Sequence, residues 1–117
     1  ENYYKNLDEV YKKDTYGGAT PEETLALFID ALKKGDTDLA AKYFVPEKQK
    51  QEAEDLKEGM KSGGVNLLLS VLEKEKVGKN MSENRYRFTT YDKNETAEFM
   101  FDFLLNSSTK KWKIENL

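Results

Sequence analysis

The chain has 117 residues, 38% of them hydrophobic and 35% charged, with a formal net charge of −3: one domain by length, with enough apolar side chains for a core. It contains no cysteine and no histidine, which excludes disulfides, thiol nucleophiles, Cys/His metal centres and imidazole catalysis. Its cations are all lysine except Arg85 and Arg87 and alternate with acids, so no basic stripe exists to hold a nucleic acid.

In chain order, Tyr4, Leu7 and Tyr11 fall at i, i+3 and i+7 with Tyr3 and Val10 beside them, which predicts a helix within the first sixteen residues. Three turns are marginal alone in water, so this helix must dock on its own domain or on a neighbour. Tyr16-Gly17-Gly18-Ala19 reads as a linker, setting residues 1–19 apart from a domain over 20–117. Thr20 is a good N-cap, Pro21 suits the first helical position and Glu23 completes a T-x-x-E box. Leu25, Phe28, Ile29 and Leu32 then make one buried stripe, closed by Lys33, Lys34 and Gly35. Asp36 caps a shorter helix carrying Leu39, Ala40, Tyr43 and Phe44, which Pro46 stops.

A third helix over 46–62 has only Ala53, Leu56 and Met60 as its apolar seam, and Gly63-Gly64 ends it. Val65, Leu68, Leu69 and Leu72 predict a buried fourth helix over 65–73, with a buried strand as the competing reading. From about residue 75 the period changes to two. A weak strand at Val77, Lys79 and Met81 precedes a hairpin over 84–105, in which Tyr86, Phe88 and Thr90 face Ala97, Phe99, Phe101, Phe103 and Leu105. A two-residue loop closed by Asp92 and Glu95 predicts Phe88 opposite Phe99, Tyr86 opposite Phe101 and Arg85 opposite Asp102. A last strand turns Trp112 and Ile114 inward and Lys111 and Lys113 to solvent. Helices followed by an antiparallel meander of four strands define an α+β domain with its helices on one side of the sheet.

Thr20-Pro21-Glu22-Glu23 leading into Phe28 and Ala31-Leu32, Gly35-Asp36, the A-K-Y-F ending at Phe44 and the closing Lys111-Trp112-Lys113-Ile114 resemble the nuclear transport factor 2-like (cystatin-like) superfamily. The likeness spans about 20–117 and is to its small bacterial lipoprotein-type domains. It implies a curved sheet wrapped on the helices into a cone, whose pocket serves isomerases and dehydratases or holds small ligands in other members. A ligand-binding cone would be lined by Tyr43, Tyr86 and Trp112, with Phe99 and Phe101 as walls, and would take a small apolar or amphipathic molecule.

Three classes of function follow. A non-enzymatic binding domain is the first expectation, holding a small ligand or contacting another protein through Tyr3, Tyr4, Leu7 and Tyr11. An isomerase-like enzyme with a carboxylate base and tyrosine donors is the alternative, although Asp102 falls on the outer sheet face and Asp30 off the helical stripe. No cofactor or metal is expected, since no D-x-D-x-D-G loop is present. No apolar run is long enough to span a membrane. A chain that begins at Glu1 suggests a removed signal or lipoprotein leader, hence an extracytoplasmic or envelope setting with membrane contact only through that leader or a lipid anchor. Asn80-Met-Ser82, Asn94-Glu-Thr96 and Asn106-Ser-Ser108 match glycosylation acceptors but recur by chance in polar turns.

Overall fold

A computed structural model describes residues 2–117, with side chains from residue 6 onward. Five helices, α1 (Asn2–Lys13), α2 (Pro21–Lys33), α3 (Thr37–Ala41), α4 (Gln49–Ser62) and α5 (Gly64–Leu72), precede four strands, β1 (Val77–Ser82), β2 (Arg85–Tyr91), β3 (Ala97–Asn106) and β4 (Lys111–Asn116). The strands form an open antiparallel sheet in the order β1-β2-β3-β4.

The helical hairpin forms for local reasons. The Thr20 hydroxyl accepts the Glu23 N–H at 3.1 Å, and the Glu23 carboxylate reaches back to the Ala19 N–H at 2.8 Å, one residue before the expected partner. Gly35, at φ 74°, turns the chain in the left-handed region, and the Asp36 side chain caps α3 by accepting the Leu39 N–H. The third helix is entered through a 3₁₀ turn at Pro46–Lys48, so its α-helical part starts at Gln49. α5 is one-sided: Val65 and Leu72 are buried while Leu67 is 71% exposed.

One hydrophobic core joins α2, α3, α4 and α5 to β2, β3 and β4 through Phe28, Ala40, Phe44, Leu56, Leu72, Phe88, Phe101, Phe103 and Ile114. The aromatic members meet edge to face, Phe28 against Phe44 at 5.4 Å and Phe88 against Phe103 at 5.6 Å. Each fully buried large side chain contributes about 1.5–3 kcal/mol relative to exposure.

The expected β2–β3 faces are present, but the register is shifted by two residues. Phe88 opposes Phe101, Tyr86 opposes Phe103 and Arg87 opposes Asp102. Two local features make the shift. Asp92 pairs with Thr96 instead of Glu95, because its carboxylate accepts the N–H groups of Asn94 and Thr96 and Glu95 takes φ 62°. A bulge between Thr90 and Tyr91 adds the second residue. A two-residue slip returns every side chain to its original face, so the alternation alone could not reveal it.

The segment expected to be a linker is an ordered strap. The Trp112 N–H donates to the Gly18 carbonyl at 3.0 Å, and the buried Thr24 hydroxyl accepts the Gly18 N–H and donates to the Trp112 carbonyl, both at 2.9 Å. Gly17, at φ 135°, leaves no room for a side chain: a Cβ there would lie 2.4 Å from the Trp112 carbonyl oxygen. α1 docks on its own domain. Asn106 donates to the Tyr11 carbonyl, and Leu7 and Tyr11 border a cleft with Leu104 and Leu105. Strand alternation places Leu104, Asn106 and Lys113 on the face away from Phe103 and Ile114, so α1 and the strap cover that corner of the sheet.

Candidate functional site

Tyr43, Tyr86, Phe99, Phe101 and Trp112, the residues proposed to line a cone, occupy different surroundings. Tyr86 and Trp112 are brought together, their rings edge to face at 6.4 Å. Phe101 is core, 1% exposed, whereas Phe99 is 39% exposed with the Lys74 ammonium 5.3 Å from its ring. Tyr43 is buried against Tyr16 at 6.4 Å, and burial, then the charge of Asp30, pushes its phenol above the ordinary range. Among these five residues only Tyr86 borders one of the described clefts, a volume of about 200 Å³ beside Met81, Arg85, Arg87, Asp102 and Glu115.

Two tyrosines meet carboxylates. The Tyr11 hydroxyl donates to Glu47 at 2.6 Å, with its phenol raised by burial and then by Glu47. The Tyr86 hydroxyl donates to Glu22 at 3.4 Å, and burial, then Glu22, raises that phenol too. Both carboxylates are exposed. Asp102 is held by Arg87 through two hydrogen bonds, at 2.6 and 3.1 Å, and Arg85 pairs with Glu115 instead of Asp102. Among the described residues no group of three or more His, Cys, Asp or Glu side chains is placed to hold a metal ion, and no helix is long and apolar enough to cross a membrane.

Lys113 departs most from the sequence reading. It lies on the expected face but is 0% exposed instead of solvated. Its ammonium donates to Asp14 Oδ1 at 3.0 Å and to the carbonyls of Tyr16 and Lys42, both at 2.6 Å, while Gln49 Nε2 donates to Asp14 Oδ2 at 3.1 Å. Burial pulls the Lys113 pKa below the ordinary lysine value, and Asp14 partly restores it. Three of its partners lie 99, 97 and 71 residues away in sequence, so no local pattern announces them.

This knot ties down the strap that seals one edge of the sheet. Along β4, Ile114 donates to the Tyr43 carbonyl at 2.8 Å and accepts from Val45 at 2.9 Å, and Phe44 forms an isolated parallel bridge to Ile114. The opposite edge is bare. All six residues of β1 are exposed, and among the described residues no backbone group of 77–82 bonds beyond β2. Gly78 lies under Tyr86, since a Cβ there would come within 2.0 Å of the phenol oxygen. An isolated glycine in a strand pattern is the sequence signal for such an approach. β1 itself carries exposed Val77 and Met81, and the strands beyond it carry exposed Tyr91 and Met100. Tyr3 and Tyr4, named as partner contacts, have side chains outside the described residues, while Leu7 and Tyr11 are half-buried against the chain's own sheet.

A comparison with family models finds no match, and neither the curated proteins nor the solved structures contain one.

Proposed function

We propose that this chain is a non-enzymatic contact domain of the nuclear transport factor 2-like type, and that it takes an extended segment of another protein along the open edge of β1. The observation carrying this is the bare row of backbone groups on β1, with exposed apolar side chains on the neighbouring strands. Added strands bind through such groups, and alternate side chains supply specificity. Lys76 and Lys79 at this edge oppose indiscriminate pairing without closing it to a specific partner. The capped hairpin, the two following helices and the four-strand meander support the family reading, which also suits an extracytoplasmic setting. Protein contact is preferred to a small ligand inside the cone because Phe28, Phe44, Phe88, Phe103 and Ile114 fill the space between helices and sheet. No observation favours the isomerase, whose tyrosine–carboxylate pairs lie at the surface.

The test is selection of peptides from a random display library on the immobilised domain, followed by amide mapping in a ¹⁵N-labelled sample. Selected peptides should shift and protect residues 77–82. In an antiparallel edge strand alternate residues turn their backbone groups outward, so one of Lys79→Pro and Asn80→Pro removes an outward N–H and spares the β2 ladder. That variant should fold and lose binding. Peptides that map elsewhere, or bind both proline variants unchanged, would overturn the proposal, and self-association through β1 would identify a second copy as the occupant.

A further inference from the structure

α4 and α5 approach closely at Gly59, where a Cβ would lie 3.0 Å from the Val65 side chain. Beside that contact they leave an open cleft of about 260 Å³, walled by Phe44, Leu56, Val65, Leu68 and Leu117. Its polar lining is all acidic: Glu52 and Asp55, one turn apart on α4. Glu52 is half-buried and receives no hydrogen bond or ion pair from any described side chain, and Asp55 receives only Gln51 Nε2 at 2.9 Å.

Two lysines of this segment have partners outside the cleft. The Lys48 ammonium is bound to the Glu115 carbonyl and to Asn116 Oδ1, and Lys57 pairs with Asp38 at 3.2 Å. Burial, then the charge of Asp55, raises the Glu52 carboxyl above the ordinary glutamate range, with Lys48 acting against both. A carboxylate held partly out of water in an apolar wall, with the Lys48 charge acting only at a distance and no cation in contact, is unfavourable and gains from a cation brought against it.

We propose that the cleft between α4 and α5 binds a small organic ammonium, its hydrocarbon part against Phe44, Leu56, Val65 and Leu68 and its cation paired with Glu52. Asp55 adds negative potential at the mouth. The volume lies just under the roughly 300 Å³ at which ligand pockets for drug-sized molecules begin, so a short alkyl chain or a single ring fits. The site is separate from β1 and independent of the strand-addition reading.

The experiment titrates hexylammonium and benzylammonium into ¹⁵N-labelled protein, with hexanol and hexanoate as the uncharged and anionic counterparts. The ammonium probes should saturate shifts at residues 52–56 and 64–68 at millimolar concentration. Hexanol should bind about fivefold more weakly, the effect of one partly exposed ion pair, and hexanoate not measurably. Glu52→Gln should lose most of the preference for hexylammonium over hexanol, Asp55 keeping a small part of it, and Leu68→Ala should weaken both. Equal affinity for hexanol and hexylammonium in the native chain, a preference undiminished in Glu52→Gln, shifts confined to other residues, or no saturation would each overturn the proposal.

Discussion

The two edges of the sheet are built on opposite plans. On β4, Trp112 and Ile114 spend their outward backbone groups on Gly18, Tyr43 and Val45, and the strap carrying Gly18 is pinned by the Lys113–Asp14 pair. On β1 the backbone beyond β2 has no partner among the described residues, and every residue is exposed. Irregular segments, here 14–18 and 43–45, thus close a sheet edge as well as a strand does. Closing one edge in this way concentrates unmet hydrogen-bonding capacity on the other.

The largest effect should come from cutting the pin. Lys113→Ala leaves Asp14 buried without its cation and strips a donor from the Tyr16 and Lys42 carbonyls. Breaking one partner of a buried pair costs about 3–5 kcal/mol, a large share of the roughly 5–15 kcal/mol that holds a domain folded. Urea denaturation would show it, and the double variant Asp14→Leu, Lys113→Met should recover part of the loss, since apolar replacement of both partners is often tolerated. A loss below about 1 kcal/mol for Lys113→Ala would mean that the knot does not secure the strap.

Gly17→Ala tests the same seal through the backbone. Its φ of 135° and the 2.4 Å approach to the Trp112 carbonyl oblige the strap to move, at an expected cost of about 1–3 kcal/mol. Amide exchange at Trp112 should accelerate with it, because that N–H is bonded to Gly18. Unchanged protection at Trp112 would show that β4 stays closed without the strap.

What could be read from the sequence followed from the range of the interaction. Thr20, Gly35 and Asp36 declare the helical hairpin because each acts within four residues of its partner. The faces of β2 and β3 were legible from alternation, but their register depended on the Asp92 side chain and on a bulge that alternation does not encode. The strap and the Lys113 knot join residues about a hundred positions apart, so Tyr16 to Ala19 looked like a linker and Lys113 like a surface charge. The candidate lining fared unevenly for a related reason. Tyr86 and Trp112 come together across the sheet, while Phe99 lies beyond the cover of the helices.

On the open side effects should be smaller. Gly78→Ala pushes against the phenol end of Tyr86, whose hydroxyl is tied only by a 3.4 Å hydrogen bond to exposed Glu22 and can give way toward solvent. It also replaces a glycine with a residue no worse for a strand. Stability should change by less than about 1 kcal/mol. Trp112 is the single tryptophan and lies 6.4 Å from the Tyr86 ring, so its emission should shift as Tyr86 moves. A loss comparable to that of Gly17→Ala would show that β1 is as firmly integrated as β4, and the contrast between the edges would vanish.

The smallest effect concerns Glu52, and its sign is the informative part. The folded-state pKa is raised above the ordinary value of 4.5, chiefly by burial and then by Asp55. Between 4.5 and that raised value the folded chain holds a proton that the unfolded chain has released, so stability falls as pH rises through this window. The contribution of this carboxyl is fully present below 4.5 and lost above the folded value, which makes the ionised group unfavourable at neutral pH. Glu52→Gln should therefore melt slightly higher than the native chain at pH 7, with the gap closing as the pH is lowered below 4.5. A Glu52→Gln variant that melts lower at pH 7 would mean that the carboxylate is stabilised by its own surroundings. A higher melting temperature would instead match an acid held in the α4–α5 cleft at a cost to folding, which the distant Lys48 charge offsets only in part and a cation in contact would relieve.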